Sequence, residues 1–170
     1  MFALWRRFGH AVTTVSNLAG YASGFLIVFC SGVLVFEVAV RYLLDWPTDW
    51  EIELSIMLLI AATFMSAAFT QAARGHVGIE VLDVMMSEKA NRYRYMLGDF
   101  LSLLFCFFIA WKSWQFFHEA WTDGKMSNTS WGPKVWPAYL SMAAGMSLLS
   151  LQLLVQIGDQ HIHEHREDEE

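Results

Sequence analysis

The stretch GVLVFEVAVRYLLDWPTDWEIELSIMLLIAATFMSAAFTQAARGHVGIE, residues 32–80, decides the fold. An apolar run ends in a charged pair, Glu37 and Arg41. Pro47 then marks a turn between Trp46 and Trp50. Two glutamates, Glu51 and Glu53, open a second apolar run that closes on Arg74, Gly75 and His76. Proline breaks a helix interior and punctuates turns, so the simplest reading is two hydrophobic helices joined by a short hairpin. Tryptophan gathers at membrane–water interfaces, and both runs are long enough to cross a bilayer. The hairpin is therefore read as a membrane hairpin.

Working outward, the 170 residues suffice for one domain. Hydrophobic residues make up 55% of the chain, with a mean hydropathy of +0.35. Soluble domains average roughly 45–50% apolar, and here the excess is gathered into long runs. Much of the net charge of −6 lies in the acidic tail from Glu164 onward. The near-neutral body offers no basic surface for nucleic acid, which is excluded as a partner. Cys30 and Cys106 each stand alone in an apolar run, with no CxxC spacing, so neither a disulfide nor thiol redox chemistry is indicated.

Hydropathy predicts an all-α integral membrane protein with four spans at about 18–44, 51–73, 95–117 and 134–157. Residues 1–17, with Arg6, Arg7 and His10 among Trp5, Phe8, Val12 and Val15, read as an amphipathic segment at the interface. The apolar run beyond them is too long for a cleaved signal peptide and has no clear cleavage site. Between spans two and three, apolar Val77, Val81, Val84 and Met85 alternate at helical spacing with Glu80, Asp83 and Ser87, predicting a surface helix over about 77–90. The loop at 118–133 carries Gly124, Asn128, Gly132 and Pro133. Residues 158–170 read as a disordered acidic tail, in which His161, His163 and His165 alternate.

Four spans leave both termini on one side, together with Arg6, Arg7, Arg74, Lys89, Arg92, Arg94 and Arg166. Arg41, Lys125 and Lys134 fall on the other. The bias predicts cytoplasmic termini. Trp46, Trp50, Trp111, Trp114, Trp121, Trp131 and Trp136 then mark the outer interface.

Glu37 and Arg41 share a helix face and read as a contact between subunits or as a self-neutralising pair. Glu51 and Glu53 could form a cation or proton site, but two apart they point to different sides of a helix, and a helix N-terminus favours acidic residues, so the helix-start reading is preferred. His76 and His118 fall at opposite membrane faces, which argues against bis-histidine haem. Small residues at Gly20 and Gly24, at Ala61, Ala62 and Ser66, and at Ser141 and Gly145 mark faces for close helix packing, within the chain or against another subunit. No nucleotide loop, nucleophile elbow or HExxH occurs, so neither an enzyme nor a cofactor is expected. No pair of broken helices marks a transport site. The reading is an accessory membrane subunit; a small anchor subunit of a membrane redox complex is the alternative.

The order Arg41-Tyr42, Pro47, Trp50, Glu53-Leu54, Ser66-Ala67-Ala68, Gly75-His76-Val77 and, further on, Pro133, Trp136, Gly145 and Leu151-Gln152 resembles the small-permease (DctQ-like) subunit of the tripartite ATP-independent periplasmic (TRAP) transporters. The chain departs from that pattern where Ile52 separates the two glutamates and where Ala144, rather than proline, precedes Gly145. The resemblance implies a subunit of a sodium-driven symporter for carboxylate-type solutes in the bacterial inner membrane. Its implied partners are a large (M-type) elevator permease, which it braces, and a periplasmic substrate-binding protein. Glu37, Arg41, Pro47, Trp50, Glu53, His76, Trp136 and Gly145 are the candidate interface or structural residues; no catalytic, cofactor or metal residue is implied.

Overall fold

A computed structural model describes residues 2–46, 48–73 and 88–167. Pro47, His76 and residues 77–87 of the surface helix expected over about 77–90 lie outside the described residues, and residues 88–90 of it belong to a longer helix. Among the described residues four helices form: α1, Phe2–Leu44; α2, Glu51–Ala72; α3, Glu88–Thr122; and α4, Trp136–Glu167. All four are long and apolar enough to cross a membrane. Together with the absence of strands among the described residues, this makes the protein an all-α, four-span membrane protein.

The helices outrun the apolar spans. α1 has 43 residues, about 65 Å at ~1.5 Å per residue, twice the ~30 Å hydrocarbon core. The amphipathic segment expected at residues 1–17 is its first third, because Arg6 and Arg7 lower hydropathy without breaking a helix and no proline intervenes. α4 continues through Glu167 rather than stopping at Ile157, and α3 runs on past Phe117 to Thr122.

α1 stops where Asp45 enters the left-handed region at φ 52°. α3 stops at Gly124, φ 61°, where Lys125 N–H donates to the Ala120 carbonyl (3.2 Å), a glycine-terminated helix end. The connection to α4 folds back on itself. Ser127 N–H donates to the Pro133 carbonyl (2.9 Å) and Val135 N–H to the Lys125 carbonyl (3.2 Å).

The helices pack in the order α1–α2–α4–α3. α1 lies on α2, α2 on α4 and α4 on α3, with a lesser contact of α1 on α4. Among the described residues α3 packs on α4 alone, so the arrangement is an open layer, not a closed bundle. The core sits in the α3–α4 seam, where Cys106, Ala110, Met146 and Leu153 are capped by Phe64 of α2.

Each seam is closed by small residues or side-chain amides. Gln71 Nε2 donates to Gln156 Oε1 (2.7 Å), and Gln156 Nε2 to the Gln71 carbonyl (2.8 Å), locking α2 to α4. Ser16 Oγ donates to Gln152 Oε1 (3.2 Å) between α1 and α4. Trp114 Nε1 donates to Ser147 Oγ (3.1 Å) between α3 and α4. Apolar surface has little drive to leave lipid for protein, so such bonds and close van der Waals contact hold the layer.

Of the Gly20–Gly24 pair, only Gly20 is used. A β-carbon there would stand 2.7 Å from Phe69 Cβ in α2, whereas one at Gly24 would meet open space. Gly20→Leu is expected to lower the melting temperature of the detergent-purified chain, and Gly24→Leu to leave it unchanged. Equal effects would show that α1 does not seat on α2 through Gly20.

Candidate functional site

The candidate residues gather at the end of the layer where both loops lie. Gly20 opposite Phe69, and Cys30 Sγ opposite the Ser55 carbonyl (3.7 Å), set the antiparallel α1–α2 register. Carried along both helices, that register brings Glu37 level with the start of α2.

Glu37 and Arg41 form an ion pair one turn apart on α1. The partners are unequal: the Glu37 side chain is 11% exposed and that of Arg41 54%. Losing Glu37 leaves an arginine that can reach water, whereas losing Arg41 leaves a buried carboxylate without its cation. Arg41→Ala is therefore expected to destabilise more than Glu37→Ala, by about 1–3 kcal/mol, and the double variant to recover part of that loss. Thermal unfolding of the three variants checks this; strictly additive losses would mean that the two residues do not act as a pair.

Glu51 and Glu53 open α2 and take different roles. Trp50, half-buried at the N-cap, makes no side-chain capping bond. Glu53 Oε1 accepts a hydrogen bond from Ser127 Oγ (3.2 Å), which ties the start of α2 to the α3–α4 loop. Glu51 is fully buried, and among the described residues neither carboxylate oxygen has a hydrogen-bond partner. Thr48 Oγ1 and Ser55 Oγ, before and after it, are likewise buried without one. Thr48 just before α2, and Glu51 and Ser55 on it, form a run of unmet polar groups.

At the same end, Trp136 begins α4 edge-on to Trp121 of α3, with ring centroids 4.9 Å apart, and also meets Phe117. Lys125 donates to Glu119 (2.5 Å), and the hydrogen bond to that carboxylate holds the lysine ammonium above its ordinary range. Gly145 lies on the α2–α4 seam, not with the loop-end residues. A β-carbon there would fall against the Phe64 backbone carbonyl, so its close approach is made inside the chain.

The structure thus brings Glu37, Arg41, Trp50, Glu53 and Trp136 to one end and sets Gly145 apart; Pro47 and His76 lie outside the described residues. Sequence reasoning missed the burial of Glu51, the Ser127 contact and the glutamine lock. Polar Gln71 and Gln156, set in apolar helices, were the signal for the lock. Among the described residues no three His, Cys, Asp or Glu side chains cluster as a metal site.

Residues 30–161 match the family model described as tripartite ATP-independent periplasmic transporters, DctQ component. No curated protein matches the chain.

Proposed function

This chain belongs to the DctQ component family of the tripartite ATP-independent periplasmic transporters, and from that premise we propose that it braces a large, elevator-type permease subunit in the inner membrane. It is a small, multi-pass membrane subunit of a TRAP transporter, a transporter component rather than an enzyme. The family match over most of the chain carries the reading. The architecture supports it physically: among the described residues the open layer leaves the outer faces of α1 and α3 without a partner, so they are available to other surfaces. Those of α1 are strongly apolar, with Phe25 and Val28 about 70% exposed.

In this reading the large subunit moves the solute, a carboxylate, inward, driven by a sodium gradient, after a periplasmic protein has captured it. The loop end of the layer faces the periplasm and helps dock that protein. Both termini are cytoplasmic, as the lysine and arginine bias supports.

The test is reconstitution of the large subunit with and without this chain, supplying binding protein, solute and an imposed sodium gradient. Uptake is expected only when both membrane subunits are present. Full-rate uptake by the large subunit alone would remove the bracing role. Orientation has its own measurement. Asn128→Cys, exposed on the α3–α4 loop, is expected to react with an impermeant maleimide in intact cells. Protection until the membrane is opened would invert the topology.

A further inference from the structure

α3 carries a charge that the fold leaves facing the bilayer. Its residues 100–111 are free of charge and span about 18 Å, well short of a ~30 Å hydrocarbon core. Lys112, which ends this stretch, is exposed on a helix that, among the described residues, packs only on α4. Its Nζ donates to Gln115 Oε1 (3.0 Å), a neutral partner one turn on. The next carboxylate along the helix, Glu119, is taken by Lys125. An ammonium below the headgroup plane is costly unless it reaches up to an anion or draws one down.

The surface beside Lys112 is a groove of about 870 Å³, with Leu101, Leu104, Phe105, Phe108 and Trp111 among its walls. A second hollow of about 600 Å³ adjoins it past Gln115 and reaches His118. From Lys112 to Leu101 the groove runs about 16 Å along the helix, close to the depth of one leaflet's hydrocarbon. Apart from Lys112 and Gln115 its walls are apolar, and they include no carboxylate.

We propose that this face of α3 binds one anionic phospholipid, its phosphate on Lys112 and Gln115 and an acyl chain in the groove below. A lone cation at the head of a leaflet-deep apolar groove complements a lipid phosphate above an acyl chain. A second protein fits less well. Helices associate in membranes through small residues that allow close approach, and the groove walls have none, whereas Gly20 and Gly145 mark the seams that α1, α2 and α4 make with one another. The inference needs the chain to lie in a bilayer, and it does not depend on the bracing role.

The test uses the complex of this chain with its large subunit, delipidated and then re-equilibrated with a mixture of phosphatidylglycerol and phosphatidylcholine. Native mass spectrometry is expected to find phosphatidylglycerol retained preferentially. Lys112→Gln should reduce that preference about fivefold, the equivalent of ~1 kcal/mol for one basic residue at a charged surface, and Lys112→Arg should keep it. A photo-crosslinking residue in place of Leu104 should label lipid carrying a clickable acyl chain. Equal retention of the two lipids by the wild-type complex, or an unchanged preference in Lys112→Gln, would overturn the proposal. So would a Leu104 crosslink to the large subunit in place of lipid.

Discussion

Gly145→Leu is expected to leave the chain inserted in the membrane but to drive α2 away from α4 and abolish uptake. Insertion should survive because leucine is favoured at the centre of a membrane helix. Packing should not. A β-carbon at Gly145 would stand 2.5 Å from the Phe64 backbone carbon and 2.9 Å from its Cβ, besides crowding the carbonyl oxygen. Backbone cannot swing aside as a side-chain tip can, so the two helices must separate along the seam. Overpacking costs about 1–3 kcal/mol in ordinary interiors, and a rigid backbone neighbour places this case at the upper end. Phe64, opposite Gly145, also caps the α3–α4 core, so the displacement would reach all three helices. Gly98→Leu is the matched control, since a β-carbon there meets nothing within 4 Å. Melting temperature and uptake are the readouts. Wild-type values for Gly145→Leu would show that α2 and α4 do not meet at this glycine. Gly145→Ala should fall between the two, because a single methyl already collides.

The two hairpins were legible because their signals are local. Pro47 between two tryptophans, and glycines and a proline between Phe117 and Trp136, interrupt apolar runs of membrane length. The order α1–α2–α4–α3 was not legible. In a soluble helix polarity tells the inner face from the outer; here both are apolar, and the exposed Phe25 and Val28 look like core. Glycines do not separate the cases either. Gly20 and Gly145 are pressed against a neighbour while Gly24, Gly32 and Gly98 are open, and nothing in the letters distinguishes them. Helix length misled for a related reason. Hydropathy locates hydrocarbon, not helix, so α1 was read from about residue 18 although its hydrogen bonding continues from Phe2. At the loop end, the Glu37–Arg41 pair was visible from spacing alone, because four residues place two side chains on one face. The division of labour between Glu51 and Glu53 was not. Two residues apart, they take different sides of α2; both are buried, but only Glu53 meets the α3–α4 loop, through Ser127, and nothing in the spacing announces that contact.

That burial leads to the second expectation, that Glu51→Met stabilises the isolated subunit. Glu51 has no exposed surface, and its two carboxylate oxygens find no hydrogen bond among the described residues. Its place in the first turn of α2 supplies some compensation from the helix dipole, about 0.3–1 kcal/mol. The cost of burying a carboxylate without a partner is several kcal/mol, so the dipole does not offset it. Exchanging buried charged groups for apolar ones of similar volume has stabilised other proteins by about 1–4 kcal/mol, and methionine matches glutamate in length and flexibility. A higher melting temperature is therefore expected for Glu51→Met, and a smaller gain for Glu51→Gln, whose amide still needs partners. A drop for Glu51→Met would show that the carboxylate is paired and holds the hairpin together. Uptake by the assembled transporter should move the other way. A costly group kept between the unmet Thr48 and Ser55 makes sense where the complex uses it, because stability is commonly given up at working sites. Loss of uptake in a Glu51→Met subunit that is more stable alone is the expected pair of results. Undiminished uptake would leave Glu51 as a residue of the helix start and nothing more.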